Sequence, residues 1–323
     1  MKRIHSFAIV TAIIVSAAGC AGVGVPKASS TPKPPGASMW IEPTDLASRD
    51  LFYGPWGAEH APAPNGVFEL VELKHTGVNL GMTVKDDKGR EWSVKQAYPG
   101  GLDPEGPVEV VLSRLLSAIG YHQPPLYYLP AFHLKDDLGN RVVVGGRFRL
   151  KDPSLKDTGS WKWEDNPFVG TKEYQGLIVL LVMFNSTDLK NTNNTIYEHR
   201  NGDLVEQWFV ARDIGSALGD WNPLAPRKSH PPSFEKTPYI LGVEGGHVQL
   251  AYNGWYKNLT RDRIAVEDVV WASEWLGRLS EKQWQDAFRA GGFQPAVANR
   301  FIAKLKEKIG QGKALGSRVA DRF

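Results

Sequence analysis

Thiols are nearly absent: the 323-residue chain holds one cysteine, Cys20. A lone thiol closes no internal disulfide and excludes a multi-cysteine metal site. Excess charge is also small, with 38 Lys and Arg against 35 Asp and Glu for a formal net of +3. Nucleic-acid binding usually leaves a basic footprint, so no nucleic acid is expected as partner. Several chemistry-bearing motifs are missing. There is no Walker A sequence, no H-E-x-x-H and no G-x-S-x-G, and no G-x-G-x-x-G precedes Lys95. No internal repeat is found. What remains is an ordinary globular composition, 42% apolar and 23% charged, which allows a sizeable core.

The N-terminus carries its own signal. Lys2 and Arg3 precede an apolar run from Phe7 to Val15, and small residues continue through Ala17, Ala18 and Gly19 to Cys20. That is a secretory signal peptide by composition and length. Its end resembles a bacterial lipobox. The resemblance implies a signal peptide over 1–19, a lipidated Cys20 and a membrane anchor. Ala21 after the cysteine, by the same resemblance, fits an outer-membrane lipoprotein of the cell envelope, on its periplasmic or surface face. Residues 20–39 are rich in Pro, Ser, Gly, Ala and Lys and read as a tether without a core.

Period-2 alternation predicts strands over 68–73, 81–85 and 91–95. Two glycines, Gly77 and Gly81, in the loop between the first two could let backbone N–H groups approach a phosphate. Apolar residues at 108, 111, 112, 115, 116 and 119 predict a helix, with Pro107 to start it and Gly120 to stop it. Residues 140–150 read as one or two strands. The run 174–184 is almost wholly apolar, yet too short to span a membrane, so it reads as a buried helix. Asn201-Gly202 between two β-prone runs predicts a hairpin. Helices are predicted over 263–279, from the capping box Ser280 to Gln283, and over 295–309. The 11 Trp residues are read as core packing.

One constellation implies a reaction. Asp188-Leu189-Lys190 is followed by Asn193, and Asp213-Ile214-Gly215 comes twenty residues later. Phosphoryl transfer needs mostly positioning and charge neutralisation. Asp188 can accept a proton from an attacking hydroxyl, and Lys190 can neutralise the transferring phosphate. Asn193 and Asp213 can hold a divalent ion, and Gly215 would let the backbone turn tightly. The hairpin between Asn193 and Asp213 should bring both to one edge.

The stretch resembles the catalytic loop and metal motif of the protein-kinase-like superfamily, H-R-D-L-K-x-x-N and D-F-G. Ser186-Thr187 stands where the family has His-Arg, Ile214 replaces Phe, and no A-P-E follows. These departures point toward atypical branches, such as persistence-toxin, spore-coat and secretory-pathway kinases. The resemblance implies an α+β, two-lobed kinase-like fold: a β-rich N-lobe with one main helix over 40–150, and a helical C-lobe with the catalytic loop over 151–323. It implies ATP with Mg²⁺ or Mn²⁺, Lys95 on the α/β-phosphates, and Glu109 as the partner of Lys95, with Glu105 the competitor. The acceptor stays open among protein, sugar and lipid. A binding or scaffold lipoprotein on a degenerate kinase-like fold, and an AMP transferase, stand as alternatives. The Pro-rich segment 221–239 is where an activation-type or substrate-binding segment would lie.

Overall fold

The computed structural model describes residues 31–74, 81–96, 105–221 and 228–320, with side chains to residue 317. The expected signal peptide, Cys20, the loop 75–80 with Gly77, and 222–227 of the Pro-rich segment lie outside the described residues.

The elements run β1 (Ala37–Ser38), β2 (Val67–Lys74), β3 (Gly81–Lys85), β4 (Glu91–Lys95), α1 (Glu105–Ala118), β5 (Leu126–Asp136) and β6 (Gly139–Leu150). Then follow β7 (Leu155–Gly159), α2 (Lys172–Met183), β8 (Asn194–Asn201), β9 (Leu204–Ala211), α3 (Pro231–Phe234), β10 (Ile240–Glu244) and β11 (His247–Leu250). The chain closes with α4 (Val266–Leu276), α5 (Glu281–Ala290) and α6 (Pro295–Ala320). The fold is mixed α+β.

Strands β2-β3-β4-β6-β5 form a closed barrel. Its interior follows from alternation. Met82 and Val84 of β3, Trp92 and Val94 of β4, and Phe148 and Leu150 of β6 all point into one apolar core with Phe68 and Phe132. The intervening residues of those strands therefore face outward, and that outer face carries the chemistry described below.

Helix α1 buries every apolar position expected of it, from Val108 to Ile119. It begins at Glu105, two residues before Pro107. A proline in the first turn costs nothing there, because its missing N–H has no helical partner anyway. The helix stops at Ala118, and Gly120 follows at φ +107°. The N–H of Tyr121 donates to Leu116 C=O at 3.0 Å and that of Gly120 to Ser117 C=O at 3.1 Å, a Schellman closure. A side chain at 120 would also strike Ile41 C=O, 2.2 Å from an added Cβ.

The second core joins α1 to α2, α4, α5 and α6. The run at 174–184 is a buried helix as expected, capped by Thr171, whose hydroxyl accepts from Tyr174 N–H at 3.3 Å. No helix among the described residues is long and apolar enough to cross a membrane. The capping box at Ser280 forms in both directions: Gln283 N–H donates to Ser280 Oγ at 3.2 Å, and Ser280 N–H to Gln283 Oε1 at 3.0 Å. From Val266 onward the chain is helical. Among the described residues between 155 and 250, five strands (β7 to β11) mix with α2 and α3, more β structure than the single expected hairpin.

Residues 37–66 tie these parts together. β1 adds in parallel to β9 at Gln207 and Trp208. Trp40 packs edge-on against Trp271 and Trp275, and its Nε1 donates to Ile119 C=O at 2.6 Å. Arg49 donates to Ser117 and Ala118 at the carbonyl end of α1.

Candidate active site

The predicted hairpin is β8–β9, with Asn201 facing Leu204 across the turn and Asn194 facing Ala211 at the open end. The open end is where Asn193 and Asp213 leave the sheet. Arg212 N–H donates to Asn193 C=O at 3.0 Å, which holds the two motifs side by side. On the other flank, Asn193 Nδ2 donates to the Asp188 carbonyl at 2.7 Å and to Asp188 Oδ2 at 3.3 Å. Lys190 Nζ lies 2.9 Å from Asp188 Oδ1. Asp188, Lys190 and Asn193 thus form one cluster, and Asp213 is tied to it through the backbone of Arg212.

The loop is set by backbone contacts of Ser186 and Thr187. Ser186 N–H donates to Leu181 C=O at 2.8 Å, and Thr187 N–H to Ser216 C=O at 3.0 Å. Thr187 C=O in turn accepts from Trp255 N–H at 3.0 Å. The loop is therefore clamped between the residues after Asp213 and the segment 252–256. Trp255 is 57% exposed, and Lys190 Nζ sits 5.3 Å over its ring. Trp221 is also exposed, with Lys257 over it. These two tryptophans depart from the expected core role. Burial of the Tyr252 hydroxyl, with Asp188 nearby, pushes its pKa far up, so it stays a neutral donor to Trp255 C=O at 2.9 Å.

Asp213 adopts φ +52°, a left-handed conformation that non-glycine residues rarely take. Gly215 does not. The glycine is required for close approach instead: an added Cβ would lie 2.2 Å from Glu105 C=O, at the start of α1. The expected turn is present at Ile214 and Gly215, without a positive φ at the glycine. The unusual backbone is at Asp213, and Gly215 seats it against α1.

Lys95 reaches Asp213 from the barrel, Nζ to Oδ1. Burial alone would raise the Asp213 carboxyl, but the charges of Lys95 and Arg147 outweigh it and hold the group down at about 2. The pairing expected between Lys95 and Glu109 is replaced. Glu109 lies 3.1 Å from Nε of Arg147, and Arg147 is 0% exposed. That approach is a contact of charges whose angle falls short of a directed hydrogen bond, because no nitrogen of the guanidinium makes one among the described residues. Arg147 Nη2 also lies 3.7 Å from Asp213 Oδ1. The reason is register. Lys95 and Arg147 are cross-strand neighbours on β4 and β6, and α1 crosses nearer to Arg147, where Gly106 leaves room for its Cβ. Glu105, the competitor, pairs with Lys228.

Sequence reading passed over Arg147 and Arg149. The available signal was Gly-Gly-Arg-Phe-Arg-Leu in a strand, two cations on the face opposite Phe148 and Leu150. Lys308 on α6 was passed over as well. It is buried, donates to Met183 C=O at 3.0 Å at the end of α2, and burial pushes it down to about 7.

A pocket of about 380 Å³ beside the loop is lined by Asn185, Asp220, Trp221, Ser233, Lys236 and Asn253. A further cavity of about 580 Å³, between Trp56, Arg114, His122 and Trp208, includes none of the motif residues. Among the described residues no group of three or more His, Cys, Asp or Glu side chains could hold a metal ion.

No protein-family model matches the chain, and no curated protein matches it. Among solved structures it is similar to a Rio2 kinase–ADP/Mg²⁺–phosphoaspartate complex from Chaetomium thermophilum, at 13% identity over 76% of this chain and 72% of that one. The TM-score is 0.33, too loose a likeness to bear on function.

Proposed function

We propose that this chain is a metal-dependent, kinase-like phosphotransferase that moves the γ-phosphoryl group of ATP to an acceptor hydroxyl. The observation behind this reading is the cluster of Asp188, Asn193 and Asp213 at the open end of β8–β9, met by Lys95 from the barrel. In this reading the barrel with α1, within 40–150, is an N-lobe, and 151–323 is a C-lobe. Asp188 takes the proton of the acceptor hydroxyl as its oxygen forms a bond to the γ-phosphorus, and the bond to the β-phosphate oxygen breaks to release ADP. Lys190 lies on Asp188 and offsets charge on the transferring group. Asn193 and Asp213 supply hard oxygen donors that suit Mg²⁺ or Mn²⁺, whose charge offsets that of the phosphates; so few protein ligands are usual when phosphates complete the shell. The Asn193 amide nitrogen is engaged with Asp188, so its oxygen is the atom turned to a cation. Lys95 leaves Asp213 for the α/β-phosphates. The pocket at Trp221 and Lys236, within the segment 221–239, is the place for the acceptor.

We place this enzyme in the bacterial envelope, anchored through Cys20. Isothermal calorimetry of the purified chain with ATP tests the proposal. Binding should require Mg²⁺ or Mn²⁺ and vanish in Lys95→Ala and Asp213→Ala; binding unaffected by Asp213→Ala refutes it. A second reading is favoured by the ion pairs themselves. Lys95–Asp213 and Lys190–Asp188 satisfy one another without any ligand, as a degenerate scaffold protein would allow. No nucleotide binding by folded protein supports that reading, and an AMP adduct on a target, seen by mass spectrometry, marks nucleotidyl transfer.

A further inference from the structure

The outer face of the barrel carries more positive charge than the proposed catalytic residues use. Register aligns Gly81, Lys95 and Arg147 in one row across β3, β4 and β6, and Thr83, Ser93 and Arg149 in the next. Lys74 sits beside Gly81 at the end of the first row, and its Nζ donates to Ser93 Oγ at 3.4 Å. Arg212 approaches from β9, near enough for its charge to act on Arg149. Lys95, Arg147, Arg149 and Arg212 therefore gather about Asp213, and Lys74 extends the same positive face beyond Arg147 and Arg149. Among the described residues only Glu109, Asp213 and the exposed Asp157 form ion pairs with them. Arg149 has no carboxylate partner there.

The same face holds polar atoms that are buried and unsatisfied. Thr83 Oγ1, all three guanidinium nitrogens of Arg147 and Arg212 Nε make no hydrogen bond among the described residues. Such groups are costly unless something meets them. Two side effects agree with crowded like charge. Burial, then the charges of Lys151 and Arg149, lowers the Lys74 ammonium, and burial followed by Arg147 lowers Arg149.

Rows two residues apart on a strand are separated by about 7 Å. Cations spread over both rows suit a ligand with several anionic centres better than a single small anion. Guanidinium forks match phosphate oxygens. We infer that this barrel face binds an oligophosphate directly through Arg149, Arg212 and Lys74, with the buried charge of Arg147 behind them and no metal ion needed for the contact. The inference rests on the reading above only in placing the ligand's phosphates in the same cleft.

The test is calorimetry of the full chain with inorganic tripolyphosphate in EDTA, with circular dichroism to confirm folding. The expected result is metal-free binding that weakens as salt rises, falls at least tenfold in Arg149→Met, and strengthens in Asp213→Asn, which removes a negative charge from the cluster. Asp213→Asn separates this site from a metal site, since loss of a metal ligand predicts the opposite. Tripolyphosphate binding that appears only with Mg²⁺, or that is unchanged in Arg149→Met, overturns the inference. ATP–Mg²⁺ binding without any metal-free tripolyphosphate binding overturns it and leaves the phosphotransferase reading standing. Metal-free tripolyphosphate binding without ATP–Mg²⁺ binding supports it and removes that reading.

Discussion

Replacing Arg147 by methionine should be among the most damaging single changes in this chain. The guanidinium is fully buried, and it lies 3.1 Å from Glu109, which is only 5% exposed. Removing one member of a buried ion pair leaves the other charge uncompensated, at a cost of roughly 3 to 5 kcal/mol. Two smaller effects oppose each other. Arg149 loses a repelling neighbour, and Asp213 loses a cation at 3.7 Å. A net loss of about 3 kcal/mol is expected, or about 1 M in the urea midpoint for a slope of roughly 3 kcal/mol/M. Adding Glu109→Gln removes the stranded charge and should restore most of the loss. Urea melts of wild type, Arg147→Met and the double variant measure this. A single variant within about 1 kcal/mol of wild type, or a double variant no more stable than the single, would refute the pairing of Glu109 with Arg147 as a structural link.

Gly215→Ala should destabilise by about 1 to 3 kcal/mol, because its Cβ would sit 2.2 Å from Glu105 C=O and push Asp213 away from α1; thermal melts check it, and an unchanged midpoint would show that the contact yields freely. Asp213→Asn should cost about 2 kcal/mol at neutral pH, since the wild-type carboxyl is held at about 2. A depressed acid stabilises above its unfolded pKa and loses that as pH falls toward its folded value, so the wild type should lose this stability between about pH 4 and 2 and the variant should not. Wild-type stability should rise from pH 7 to 9, by at most about 1.4 kcal/mol per unit, because Lys308 sits at about 7 when folded and the unfolded chain holds more protons over that range. Lys308→Met should remove the slope, and denaturant midpoints across that range decide it.

Much of the molecule was legible locally. Strands β2, β3 and β4, helix α1, buried helix α2, hairpin β8–β9 and helices α4 to α6 fall where alternation, periodicity, Asn201-Gly202 and the Ser280 capping box put them. Strand β5 was missed, since Pro130 and the charged residues near its end mask its alternation, yet it closes the barrel in parallel with β2. Helix α6 runs on through Gly310 and Gly312. Gly312 is where α4 packs so closely that an added Cβ would meet Ser273 Oγ at 2.0 Å. A glycine that looks like a stop is here a contact point.

The site divides in the same way. The order Asp188, Lys190, Asn193 and Asp213 is a property of the sequence, because these residues lie on one loop and one hairpin whose turn is written in adjacent letters. That hairpin brings the backbones of Asn193 and Arg212 side by side. Which cation meets which carboxylate was decided only in three dimensions. Lys95, Glu109, Arg147 and Asp213 lie on four separate elements, and pairing among them depends on the β4–β6 register, the tilt of α1 over Arg147 and the seat that Gly215 gives Asp213. Short-range pattern determines elements, whereas charge pairing depends on distances of a few ångströms that only packing sets.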